Sequence, residues 1–414
     1  MASHLSLPEE ALALLKHARL ATPFCTPDGE PCASIPASLD SRRVLPLRSA
    51  GFRDWLTRSF YSEHESAPTA SGLVAALRTL EAQAKYGDFP PQRIDLRVGS
   101  EGDRYFPSRV LIDLAGNSGE LLSITTQGFA SESNLKHSFR QTPAMLPLPV
   151  DWPAGNEAKQ SALDLFARLF SLDEEARART LAWLTAALRP TGPYPILVLR
   201  GPAGSGKSVL ARALRALIDP STAPLRRLPV RDRDVARVAF DNWVMVYDHV
   251  QRVAPPTCSA IAALSTGDAF EVRQPDRREP VTFELARPII LIVPSDEISR
   301  AWTPPRSLAS RTVTINLERI AAPVPEARIA TAFEAVRPTV VAALATAVST
   351  ALARLREIDV GNVRRLPDCA AWAAAAAPAF ALTESDMVEA IADPRAIWAG
   401  PQRAVWSEGA GWRS

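Results

Sequence analysis

Gly201-Pro202-Ala203-Gly204-Ser205-Gly206-Lys207-Ser208 fits the P-loop pattern G-x-x-x-x-G-K-[ST] at every position, which predicts a site for a nucleoside triphosphate. The flanks agree with that reading. Residues 194–200 are apolar and β-branched enough for a buried strand, and residues 208–217 place Val209, Leu210, Ala213, Leu214 and Leu217 on one helical face. Strand, glycine loop and helix therefore occur in the order the chemistry requires. Glycines let backbone N–H groups close around phosphates, and the N-terminus of a helix favours negative charge. Gly201 through Val209 form the expected cradle, with Lys207 on the β/γ-phosphates and the Ser208 hydroxyl on Mg²⁺. Lys207 is one of five lysines beside 42 arginines, so a compact point charge stands where the site needs one.

Further along, Val244-Met245-Val246-Tyr247-Asp248 reads as a buried strand ending in a carboxylate. At the carboxyl end of a parallel strand Asp248 would face the triphosphate and hold the Mg²⁺ ion. His249 follows, where a second carboxylate often orients the attacking water. Residues 288–293 give a third strand, after which Ser295 is a candidate for contact with the γ-phosphate or the water, or a plain turn residue. Arg311, just before the strand-like residues 312–317, is a candidate arginine finger for a neighbouring subunit's γ-phosphate, or a surface ion-pair residue. Residues 270–283 read as a β-hairpin with a polar tip. Its Arg273, Arg277 and Arg278 are candidate contacts to single-stranded DNA, against the alternative of a solvated loop neutralised by Asp276 and Glu279.

The 414 residues carry 47 basic and 45 acidic side chains, so net charge alone points to no nucleic-acid partner and any DNA-binding surface must be local. Cys25, Cys32, Cys258 and Cys369 lack zinc-site spacing and read as reduced thiols of a cytoplasmic protein. No export signal opens the sequence, and the alanine-rich residues 370–381, interrupted by Pro378, are too short to span a bilayer. The expected architecture is α/β: a P-loop NTPase core over residues 191–320. A poorly determined lead-in (1–45), an N-terminal α+β domain (46–150) and a helical segment (151–190) precede it, and a C-terminal helical region and tail (321–414) follow. No clustered Asp/Glu/His set in residues 1–150 suggests a primase centre.

Taken together, Leu188-Arg-Pro-Thr-Gly-Pro-Tyr-Pro195, Asp241-Asn242-Trp243-Val244, Thr266-Gly267, Ala286-Arg-Pro-Ile-Ile-Leu291 and Ser310-Arg311 resemble a family of bacterial ATP-binding proteins of prophages and other mobile elements. That family is related to the superfamily 3 helicase domain of phage and poxvirus-type primase-helicases. The likeness runs from about Pro46 to about Ala376 and includes Phe52-Arg-Asp-Trp-Leu56 and Ile94-Asp-Leu-Arg-Val98. It implies an AAA+-like ATPase acting as a homo-oligomeric ring, with Lys207 and Ser208 on ATP and Asp248 on Mg²⁺. Two residues depart from the family: His249 where Asn is common after the Asp, and Ile292 where Asn is common on the third strand. Two functions follow as expectations. One is a helicase-like DNA motor or loader for a mobile element. The other is a slowly hydrolysing nucleotide-gated switch working through a protein partner, with residues 46–150 as the docking domain. A small-molecule kinase is disfavoured by the absence of an acceptor-binding motif.

Overall fold

The computed structural model describes residues 7–38, 41–116, 119–134, 137–149, 155–251, 253–272, 281–295 and 305–392. The chain opens with α1 (Leu7–His17) and an antiparallel sheet of β1 (Thr22–Cys25), β2 (Pro31–Ser38) and β3 (Ser41–Pro46). Helices α2 (Ala50–His64) and α3 (Ala70–Tyr86) follow. Ser49 and Thr69 cap α2 and α3 by accepting the N–H of Phe52 and Gly72. Leu14, Ile35, Phe52, Leu56, Phe60, Ala76 and Leu80 share one core. The lead-in expected over residues 1–45 is thus corrected from Leu7 onward: α1 and the sheet build the same body as α2 and α3. Buried Glu10 ties α1 to α3 by accepting the Thr69 N–H at 2.7 Å.

A second antiparallel sheet runs in chain order through β4 (Val98–Gly102), β5 (Pro107–Asp113), β6 (Glu120–Thr125) and β7 (Gly128–Ser133). Its inner residues Val98, Val110, Ile112, Leu122 and Ile124 join the core that also holds α4 (Asn156–Leu169) and α5 (Glu174–Ala187). The sequence reading places the end of the N-terminal α+β domain at residue 150. The shared core instead puts the break between the two bodies after α3, because this apolar sheet face is buried against the helices that follow it.

The larger body centres on a five-stranded sheet in the order β14-β8-β13-β10-β9, with every neighbouring pair parallel. It is built from β8 (Ile196–Gly201), α6 (Lys207–Ile218), β9 (Arg226–Arg227), α7 (Asp232–Phe240), β10 (Met245–Asp248) and α8 (Pro255–Thr266). It continues through the antiparallel hairpin β11 (Asp268–Val272) and β12 (Val281–Leu285), then β13 (Ile289–Pro294), α9 (Arg306–Ala309) and β14 (Thr312–Asn316). Residues 196–199 and 289–293 are buried throughout, as strands covered on both faces should be. Helices α10 (Glu326–Arg354), α11 (Pro367–Ala376) and α12 (Glu384–Ala392) complete the fold. Among the described residues one helical stretch, spanning α10, has the length and composition to cross a membrane. Here its Val340, Leu344, Val348 and Ala351 are buried in the core. Three buried indoles pin these layers: Trp183 donates to Pro195 O, Trp243 to Ala187 O and Trp372 to Thr185 O.

Residues 93–97, just before β4, do not form a strand. Arg97 is fully buried and spent on an ionic joint: its Nε donates to Asp219 Oδ1 at 3.1 Å and its Nη1 to Asp113 O at 2.7 Å. Asp219, which ends α6, accepts from the backbone N–H groups of Trp243 and Val244 through Oδ2. Arg215, also buried, donates to Asn242 Oδ1 at 2.8 Å and to Asp219 O at 3.1 Å. The joint therefore fastens the β4–β7 sheet, the end of α6 and the start of β10 to one another.

Candidate functional site

At the carboxyl edge of the parallel sheet, β8 ends at Gly201 and the chain turns through Pro202, Ala203, Gly204 and Ser205 into α6. Gly206 precedes the helix with φ of +77°, a left-handed conformation that L side chains rarely adopt. Lys207 opens α6, and its ammonium folds back over the loop, donating to Gly201 O at 2.8 Å, Pro202 O at 2.6 Å and Ser205 Oγ at 3.1 Å. Partial burial lowers the Lys207 pKa, and the nearby Asp248 carboxylate opposes that shift. The Ser208 hydroxyl donates to Asp248 Oδ2 at 3.2 Å, so the ends of β8 and β10 converge although β13 lies between these strands. These are hard oxygen donors of the kind that suits Mg²⁺.

Gly201 through Val209 all belong to this region, and an open cleft of about 550 Å³ is lined by Pro202 to Val209 together with Asp248, His249, Ile292 and Ser295. His249 is exposed and held at φ of +59°, with its N–H on Asp248 Oδ1 at 2.7 Å. Ile292 is almost fully buried, and Ser295 N donates to Gly201 O at 3.0 Å.

Two further residues support the loop, and neither belongs to a recognisable motif. Leu317 N donates to Arg200 O at 2.7 Å and Ile320 N to Gly204 O at 3.2 Å, both from the segment after β14. Their proximity is set by β14 lying beside β8, a pairing that no local pattern announces. A Cβ on Gly201 would meet the Leu317 carbonyl well inside contact distance and Ser205 Oγ at 2.7 Å. Gly201→Ala is therefore expected to weaken ATP binding by roughly tenfold, about 1.4 kcal/mol. Calorimetric titration checks this; an unchanged affinity would show that the loop yields freely.

Arg311 is not brought to this cleft. It precedes β14 at the amino edge of the sheet, opposite Lys207, Ser208 and Asp248, and its carbonyl accepts from Ile196 N at the start of β8. Its Nη1 donates to Ser307 O, its buried Nε has no partner, and burial, with nearby Arg365, lowers its pKa. The antiparallel arms expected around the basic hairpin are β11 and β12. Arg273, Arg277 and Arg278 lie outside the described residues.

The fold and site thus define an α/β protein with a glycine loop at the carboxyl edge of an all-parallel sheet and a helical C-terminal region. Residues 163–394 match the model of the actinomycete integrative conjugative element replication proteins (AICE_RepA), and the chain belongs to this family. No curated protein matches the sequence. Among solved structures, "SCCmec type IV Cch - active helicase" is 12% identical with a TM-score of 0.44, covering 90% of this chain and 72% of that one. The "A form apo structure of NrS-1 C terminal region-CTR" is 12% identical with a TM-score of 0.42, over 81% and 68%. A full-length MCM homolog from Methanopyrus kandleri is 12% identical with a TM-score of 0.37, over 84% and 90%. Likeness at this level carries no argument about function.

Proposed function

We propose that this replication protein is an ATP- and Mg²⁺-dependent NTPase that acts as a helicase-like motor or loader on single-stranded DNA. The observation that carries the reading is the meeting of Lys207, Ser208 and Asp248 at one sheet edge, with Ser208 Oγ 3.2 Å from Asp248 Oδ2. In this reading Gly201 to Val209 cradle the phosphates, and Lys207 exchanges its bonds to the loop carbonyls for the β/γ-phosphates. Ser208 and Asp248 would hold Mg²⁺, which supplies charge neutralisation on the phosphates. Arg311, remote from its own chain's cleft, would serve a neighbouring copy in a ring. Arg273, Arg277 and Arg278 would grip the DNA backbone.

The decisive assay measures ATP hydrolysis with and without single-stranded DNA. A several-fold stimulation is expected, with DNA affinity falling as salt rises by a log–log slope of about −0.7 per neutralised phosphate. No stimulation together with no salt-dependent binding would sink the motor reading.

One pair of observations favours a second reading, a switch that binds ATP and turns it over slowly through a protein partner. Exposed His249 stands beside Asp248 where a carboxylate would orient water, and Ile292, at the cleft wall, is apolar and buried. That reading expects tight ATP binding with negligible turnover in the same assay.

A further inference from the structure

Two of the chain's five histidines meet far from the nucleotide cleft, in the N-terminal body. His17 is the last residue of α1 and His64 the last residue of α2, and Glu63 precedes His64 on the same turn. One ligating atom from each of the three lies within 4.8 Å of the others. The His17 and His64 rings are 5.8 Å apart between centroids at 84°. His17 Nε2 is shielded from solvent and has no hydrogen-bond partner, an arrangement buried polar atoms seldom tolerate. Glu63 Oε2 is its nearest carboxylate atom, at 3.5 Å, too far for a good hydrogen bond. That spacing instead suits two ligands of one tetrahedral ion, whose ~2.0–2.1 Å bonds place adjacent donors about 3.3 Å apart.

We infer that His17, Glu63 and His64 form a binding site for one zinc-type divalent cation, with a fourth position open to water. Two imidazoles and one carboxylate are a ligand set zinc accepts. Glu63 is already oriented: Lys16 Nζ donates to its Oε1 at 3.1 Å, leaving Oε2 toward His17. Phe60 packs against His64 with ring centroids 4.3 Å apart and restricts the imidazole. The carbonyl ends of α1 and α2 converge here, and the partial negative charge of both termini favours a cation. A bound ion would staple the α1–α2 corner of the N-terminal body.

The test uses untagged full-length protein, stripped with chelator and titrated with Zn²⁺ in excess Mg²⁺ so that the Asp248 site does not compete. One zinc per chain is expected, with X-ray absorption at the zinc edge showing nitrogen and oxygen ligands at about 2.0 Å and imidazole scattering. His64→Asn and Glu63→Gln alter side chains that are at least partly exposed, and each should weaken zinc binding by about 100-fold or more. No zinc uptake at micromolar concentration, sulfur ligation from a cysteine, or affinity unmoved by both substitutions would overturn the assignment. Should one variant fail to fold, the other variant and the wild-type absorption spectrum still decide it.

Discussion

Lys207→Ala is expected to lower ATP affinity at least ~100-fold, about 2.7 kcal/mol, because among the described residues no other lysine or arginine lines the glycine-loop cleft. The wild-type ammonium makes three hydrogen bonds within the loop, to Gly201 O, Pro202 O and Ser205 Oγ, so the lysine waits at the phosphate position without help from the core. Removing it takes away a point charge and leaves the fold intact. Unliganded melting temperature should therefore stay close to wild type while the rise caused by ATP disappears. For the wild type that rise reflects about 2.7 kcal/mol of stabilisation at 100 times the dissociation constant. Lys207→Arg should also fail, since a planar guanidinium is not a compact charge on a flexible stem. Equal ATP affinity in wild type and Lys207→Ala, by calorimetry, would mean that the loop does not bind phosphates.

Arg97→Ala is the substitution expected to cost most in stability, about 3–5 kcal/mol, by taking the nearer of two guanidinium partners from a buried carboxylate. Both side chains of the pair are essentially inaccessible, at 0% and 2% exposure, so water cannot replace the lost guanidinium. Asp219 would keep the N–H groups of Trp243 and Val244 and the Arg215 guanidinium at 3.7 Å, which places the loss toward the lower end. Asp113 O and Leu146 O lose donors in the same step. Urea unfolding followed by tryptophan fluorescence measures the change, because Trp243 sits on the joint. The double change Arg97→Met with Asp219→Asn should recover none of it, since Asp219 is also the counter-ion of buried Arg215, whose Nη2 lies 3.7 Å from Asp219 Oδ2. A loss under 1 kcal/mol for Arg97→Ala would show that the joint contributes little.

The sequence was most readable where one local pattern sufficed. Strand β8, the glycine loop and α6 follow from apolar runs and glycines, and β10, β13, β14 and the hairpin arms from short apolar segments ending at turn residues. The N-terminal sheet was not readable: β2 runs Pro-Cys-Ala-Ser-Ile-Pro-Ala-Ser, whose small residues and prolines hide the alternation that marks a strand. In the sequence Arg97 is one arginine among 42. Its role depends on Asp219, which is 122 positions away and visible only once the chain is folded. Ser208 and Asp248 could be paired on paper because each ends a recognisable element. The position of Arg311 at the opposite edge needed the direction of β14, which the sequence does not carry.

The hairpin and the cleft lie at opposite ends of a single strut. Strand β12 is separated from β13 by three residues, Ala286, Arg287 and Pro288, and β13 crosses the sheet to finish beside Ser295. Six of its residues are registered on β8 and three on β10, and Arg287 clamps the root by donating to Ala239 O and Asn242 O. A slip of one residue would break both ladders and turn Ile290 and Ile292 to the wrong face. Axial travel along this strand is therefore blocked. Any change in reach at the hairpin end has to come from bending beyond the clamp or from tilting the whole body, not from elasticity along the strand.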